Sequence, residues 1–113
     1  MTRMINKDEL SYGGIAHKFE GYRYGGTNVS FFLVDAPPGS GPGVQTHPYK
    51  EVFVVQEGQA SFTVGDDTIK AIGGQVVVIL AGMPHNFVNS GTGPLRQVDI
   101  HLSGQMIQEW LEE

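Results

Sequence analysis

The chain contains no cysteine, which excludes disulfides, thiolate metal sites and a cysteine nucleophile together. That absence fits a reducing compartment, and a cytoplasmic location is the expectation that follows. Basic residues are scarce: seven Lys and Arg stand against twelve Asp and Glu, for a formal charge of -5 at pH 7. Recognition of a phosphate backbone needs a basic face, so nucleic acid is not an expected partner. Long apolar runs are also missing. The longest, Val76 to Ala81, falls far short of the roughly 18 residues of a membrane span. Met1 to Leu10 carries Arg3, Lys7, Asp8 and Glu9 without an apolar stretch, so neither a signal peptide nor a membrane partner is expected.

Glycine and proline are plentiful, with 16 and 6 in 113 residues. They fall between short apolar runs, as turn residues do in an all-β protein. The length suits one domain, residues 1–113. Gly14 to Tyr24 reads as one or two early strands, and Val29 to Ala36, VSFFLVDA, as a firm strand. Pro37 to Gly43, PPGSGPG, must be loop. Glu51 to Gln56 is a strand with Gln59 to Val64 as its expected hairpin partner, and Thr68 to Ile72 returns after a Gly-Asp-Asp turn. The unbroken apolar run Val76 to Leu80 predicts a strand buried on both faces. Asn86 to Asn89 and Leu95 to Leu102 supply two more. The spacing of Met106, Ile107, Trp110 and Leu111, with Ser103 as a cap, predicts a short C-terminal helix.

Potential ligands concentrate in the stretch GSGPGVQTHPYKEVFVVQEG, residues 39–58. In extended chain Gln45, His47, Tyr49 and Glu51 share one face. Buried imidazole and carboxylate are costly unless paired or bound to a cation, and a metal would satisfy them together. In residues 74–89, GQVVVILAGMPHNFVN, His85 opens a strand after a turn and can bring a second imidazole to the group. Two histidines and one carboxylate match the ligand set of many non-haem iron sites with open positions.

These two stretches resemble the paired motifs of the cupin superfamily, G-x5-H-x-H-x3,4-E-x6-G and G-x5-P-x-G-x2-H-x3-N. Gly39, His47, Glu51 and Gly58 fall on positions of the first; Gly74, Gly82, His85 and Asn89 fall on the second. The first histidine of the family pattern is Gln45 here, and its proline is Leu80. The resemblance implies a double-stranded β-helix, a jelly-roll barrel open at one end. It implies a divalent transition metal (Mn, Fe, Ni or Zn) held by Gln45, His47, Glu51 and His85. Gln45 can coordinate through its side-chain oxygen, or line the pocket as an amide.

Cupins include dioxygenases, isomerases, decarboxylases and lyases, so the resemblance implies a small-molecule ligand or substrate without selecting a reaction. The alternative is a non-catalytic barrel that binds a sugar or organic acid. Tyr49 and His101 are the only candidates for a separate general base, with Tyr49 expected at the pocket mouth or on the surface rather than as a ligand. On the last strand Val98, Ile100 and Leu102 alternate with Gln97, Asp99 and His101. If the apolar set faces the core, His101 lies outside, which is the expectation here; His17 is expected at the surface too. Asn89 is expected to bond nearby backbone. Small cupins commonly pair, and the apolar face of the expected C-terminal helix would serve a homodimer.

Overall fold

The computed structural model describes residues 2–111, which form an all-β structure of two antiparallel sheets. Eleven strands follow in chain order: β1 (Ser11–Gly13), β2 (Ala16–Glu20), β3 (Ser30–Ala36), β4 (Gln45–Thr46), β5 (Glu51–Glu57), β6 (Gln59–Val64), β7 (Asp67–Ile72), β8 (Val76–Ile79), β9 (His85–Asn89), β10 (Leu95–His101) and β11 (Glu109–Trp110). One sheet has the order β1-β2-β3-β10-β5-β8 and the other β11-β4-β9-β6-β7. Among the described residues no helix is long and apolar enough to cross a membrane.

The inner faces of the two sheets enclose one core. Val34, Phe53, Val55, Phe62, Ile79, Phe87 and Leu95 are buried there, and the rings of Phe53, Phe62 and Phe87 meet with centroids 4.9 to 5.9 Å apart. Period-2 alternation drives this arrangement. On β5, Glu51, Phe53 and Val55 point inward while Val52 and Val54 point outward.

Gln59 to Val64 is not the hairpin partner of β5. The chain leaves one sheet at Gly58 and enters the other, where β6 pairs with β7 and β9. Gly58 makes the crossing feasible: its φ is +91°, and a Cβ there would collide with the Pro94 carbonyl.

Three other expectations are corrected. The C-terminal helix is absent; Glu109 and Trp110 instead pair with Thr46 and Gln45 as β11. One and a half turns of helix are marginal in water, and this segment gains ladder bonds as well as contacts from His47 and Tyr49 to the Ile107 backbone. Val76 to Leu80 is not buried on both faces either. As the edge strand β8 it hides Val77 and Ile79, while Val76, Val78 and Leu80 are 56 to 57% exposed. His101, lastly, lies inside at 1% exposure. On β10 the polar set Gln97, Asp99 and His101 faces inward, and Val98 and Ile100 face out. Apolar character misleads there because the inner face of β10 borders a polar cluster that satisfies His101.

Candidate functional site

As the first residue of β5, Glu51 points inside the barrel, 2% exposed, where three imidazoles converge on its carboxylate. His47 Nε2, from the loop before β5, is 2.9 Å from Oε1. His85 Nε2, opening β9, is 2.9 Å from the same oxygen. His101 Nε2, closing β10, is 3.2 Å from Oε2. The register explains the convergence: His101 pairs with Glu51 across β10 and β5, and His85 pairs with Gln45 across β9 and β4.

The far nitrogens fix the orientation of each ring. His47 Nδ1 donates to the Ile107 carbonyl at 2.9 Å, and His85 Nδ1 donates to the Met83 carbonyl at 2.8 Å. A carbonyl can only accept, so both Nδ1 atoms carry hydrogen and both Nε2 atoms of the neutral rings offer lone pairs to Glu51. His47 Nε2 is buried and lacks a properly oriented hydrogen-bond partner. His101 Nδ1 meets the Tyr49 hydroxyl at 2.7 Å, and the same hydroxyl accepts from the Ile107 amide at 3.0 Å. Tyr49 is half-buried and stacks on His47 with centroids 5.2 Å apart.

Burial works to raise the pKa of Glu51, but the imidazoles of His101, His47 and His85 that face it hold it well below the usual carboxylate range. Burial tends to lower the pKa of His85; its hydrogen bonds to Glu51 and the Met83 carbonyl outweigh that and raise it. Desolvation raises the Tyr49 phenol. Asp99, on the inner face of β10, has its carboxyl pushed well above the ordinary range by burial and by the Glu51 charge. Gln97 Nε2 donates to Asp99 Oδ1 at 2.8 Å.

Of the residues singled out in the sequence, His47, Glu51 and His85 are brought together. Gln45 is buried nearby, but its oxygen accepts from Gln108 Nε2 at 2.6 Å. Asn89 bonds backbone, donating to the Ala36 and Gly93 carbonyls and accepting from the Gly91 amide. His17 is partly buried and packs against Tyr12 on the outer side. The sequence reading missed His101 as a member of the cluster. Its signal was available: Gln97, Asp99 and His101 share one parity, the pattern of a strand facing a polar cavity. The donor atoms of His47, Glu51 and His101 all lie within 4.8 Å of one another, a spacing that suits a metal ion. Beside the cluster is a cavity of about 250 Å³, lined in part by Phe32, Val34, Phe87, Asp99 and Trp110.

The family model of the cupin domain matches residues 32–101, more than half of the chain. The chain is a cupin. The cupin barrel is also found in solved structures that it resembles. It superposes on Bacillus subtilis oxalate decarboxylase, in a structure concerned with that enzyme's Mn(II) centres, with a TM-score of 0.79 at 20% identity. That match covers 90% of this chain and 29% of the decarboxylase. A mutant of the same enzyme gives 0.78 at 23% identity, with 89% and 29% covered. A double-stranded β-helix protein from Klebsiella pneumoniae gives 0.77 at 21% identity, with 100% of both chains covered. This cupin therefore spans less than a third of the decarboxylase chain, and the likeness is one of fold. No curated protein sequence matches it.

Proposed function

We propose that this cupin binds one divalent transition metal through His47, Glu51, His85 and His101, and that the ion and the adjoining cavity together act on a small molecule. One observation carries the reading. Three buried imidazoles turn their Nε2 atoms onto a single carboxylate, and the tautomers of His47 and His85 leave lone pairs facing an anion. Lone pair against carboxylate is repulsive unless protons or a cation lie between them. A divalent ion fits: it would take the unpartnered His47 Nε2 as a donor, and its charge would replace two or three buried protons. The Nδ1 bonds of His47 and His85 to backbone carbonyls are the supporting bonds expected of metal-ligating histidines. When bound, the ion supplies Lewis-acid polarisation or electron exchange to a substrate at its open positions. The chain's own residues orient the rings, exclude water with the Phe53–Phe87 wall, and hold a carboxyl proton at Asp99.

Mn, Fe, Ni and Zn all suit such a set. Calorimetric titration in buffers of differing ionisation enthalpy tests it. One ion per chain should bind with release of protons, since ligands must be deprotonated. Binding without proton release, or no binding of any of the four ions, would sink the reading.

We further propose that the protein is a homodimer whose partner covers the outer face of the β1–β8 sheet. Strand register lays out two rows across five strands: Val78, Val52, Ile100, Phe31 and Phe19, then Val76, Val54, Val98, Leu33 and His17. Nine of these ten are apolar; Tyr24 stacks on Phe19 at one edge, seven of the nine are half-buried, and Val76 and Val78 are 56 and 57% exposed. Leu80 and Leu102, 57% and 50% exposed, extend it. The outer face of the other sheet is mostly polar, with Gln59, Ser61, Thr63, Thr68, Lys70 and Asn86 beside only Ile72 and Val88, so the apolar face is particular to one sheet. Charge is kept to one end, where Arg96 meets Asp35 and Glu57. At ordinary strand spacing the patch is on the order of 600 Å² per copy, the lower edge for a specific pair, and a flat face of this kind is self-complementary about a two-fold axis. Light scattering at micromolar concentration should return a dimer for the native protein and a monomer for Val54→Lys; a native monomer would remove the claim.

A further inference from the structure

Residues 105–111 are fastened to the barrel by hydrogen bonds rather than by packing, and none of the seven is buried. Just before them the chain is fixed. The Leu102 amide donates to the Lys50 carbonyl, Ser30 Oγ to the Ser103 carbonyl, and the Tyr22 amide to the Gly104 carbonyl, at 2.8 to 3.2 Å. A Cβ at Gly104 would stand 2.7 Å from the Thr27 carbonyl oxygen, so this anchor is tight. Beyond it β11 pairs with β4 over two residues, and β4 meets β9 at one residue pair, Gln45 with His85. A segment with few buried apolar contacts opens at low free-energy cost.

The ties that hold the segment lead to the site. The amides of Met106, Ile107 and Leu111 donate to Glu20 Oε2, the Tyr49 hydroxyl and the Val44 carbonyl at 3.0, 3.0 and 2.9 Å. The Ile107 carbonyl accepts from His47 Nδ1, and Gln108 Nε2 donates to Gln45. Residue 107 therefore touches His47 directly and reaches His101 through Tyr49. Gln108 and Trp110 also line the cavity, so that part of its wall is present only while the segment is docked. The Ile107 carbonyl selects the form of His47 with hydrogen on Nδ1, and a metal at Nε2 selects the same form. Two events that favour one state of a side chain favour each other, and by equal factors.

We propose that residues 105–111 are a strap that opens as a unit about Gln105, and that metal binding holds it shut. Closed, the strap orients His47 and completes the cavity. Open, it leaves the cavity without Gln108 and Trp110. The metal-loaded protein thus presents a finished cavity, whereas the metal-free protein lacks part of the wall whenever the strap swings away. The inference rests on the metal centre proposed above and makes the strap its positioning element.

Amide hydrogen exchange of the full chain by NMR, metal-free in chelator and then saturated with Zn(II), tests this. Shifts of the His47 and His101 ring resonances report whether Zn(II) is bound. The amides of Met106, Ile107 and Leu111 have acceptors of different chemistry, yet they should show one common protection factor in the metal-free protein. Zn(II) should slow all three by about 10- to 100-fold, the factor that an orienting partner contributes to metal affinity. The turn amides of Leu10 and Gly73, bonded to the Lys7 and Gly58 carbonyls away from the strap, should not change. Leu111→Pro removes the donor to Val44. It should speed exchange at Met106 and Ile107 about tenfold, the equivalent of one lost hydrogen bond, and raise acrylamide quenching of Trp110, the only tryptophan. Zn(II) bound at the rings with strap amides unchanged would overturn the coupling and leave the metal centre standing. Three unrelated protection factors in the native protein would overturn the strap as a unit, even if Leu111→Pro fails to fold. Ring resonances that do not respond to Zn(II) would remove the metal reading and the coupling together.

Discussion

Removing one oxygen, in Tyr49→Phe, should weaken metal binding without touching a ligand. The Tyr49 hydroxyl lies 2.7 Å from His101 Nδ1 and also meets both the amide and the carbonyl of Ile107. It can therefore donate to His101 when that ring's proton sits on Nε2. It can equally accept from His101 when the proton moves to Nδ1, passing its own hydrogen to the Ile107 carbonyl. The second state is the one a metal-facing Nε2 requires. Loss of such an orienting partner typically costs 10- to 100-fold in metal affinity, or about 1.4 to 2.8 kcal/mol. Tyr49 is only half-buried, so water can replace part of the hydroxyl's role, and the expected loss is about tenfold. The metal-free protein should lose about 1 kcal/mol of stability, because the Ile107 amide also gives up its partner. Competition with a chelating dye gives the affinity, and melting in chelator gives the stability. Native affinity in Tyr49→Phe, alongside a large loss in His101→Ala, would show that the hydroxyl does not orient the ring.

Phe62→Ala should destabilise the barrel by about 3–5 kcal/mol, because the ring is fully buried between Phe53 and Phe87; urea unfolding measures it, and a loss below about 1 kcal/mol would contradict the packing described. Asp99→Asn should stabilise the metal-free protein at neutral pH. The folded pKa of Asp99 is raised, so above about pH 4, where the unfolded chain releases this proton, the native fold loses stability as pH rises. The asparagine variant lacks that slope, and its advantage should grow from pH 4 to pH 7; a constant difference across that range would refute the assignment.

Much of the barrel was legible because its determinants are local. Turn glycines, β-branched runs and the spacing of Gly39, Gly58, Gly74 and Gly82 marked eight of the strands to within a few residues and both motif segments. What the sequence concealed depends on tertiary partners. Whether β6 pairs with β5 or crosses to the other sheet is decided at Gly58 by a close approach to Pro94 from a distant part of the chain. Val76 to Leu80 reads as doubly buried because its outward valines belong to an apolar face that the single chain leaves uncovered. The helical spacing at the C-terminus is overridden by pairing with β4. His101 was assigned to the wrong side by the rule that apolar faces turn inward, and that rule reverses when the interior holds a polar cluster and the exterior an apolar face. Gln45 has the expected parity and burial, yet its oxygen is engaged by Gln108, a partner 63 residues away that no local pattern announces.

Elemental analysis of untagged protein, dialysed against a mixture of Mn, Fe, Ni and Zn and then against metal-free buffer, tests the central claim most directly. The native protein and Gln45→Ala should each retain one divalent ion per chain, whereas His101→Ala and Glu51→Ala, folded by circular dichroism, should retain almost none. A native protein that emerges free of metal, or a His101→Ala variant that keeps its full complement, would contradict the four-residue centre.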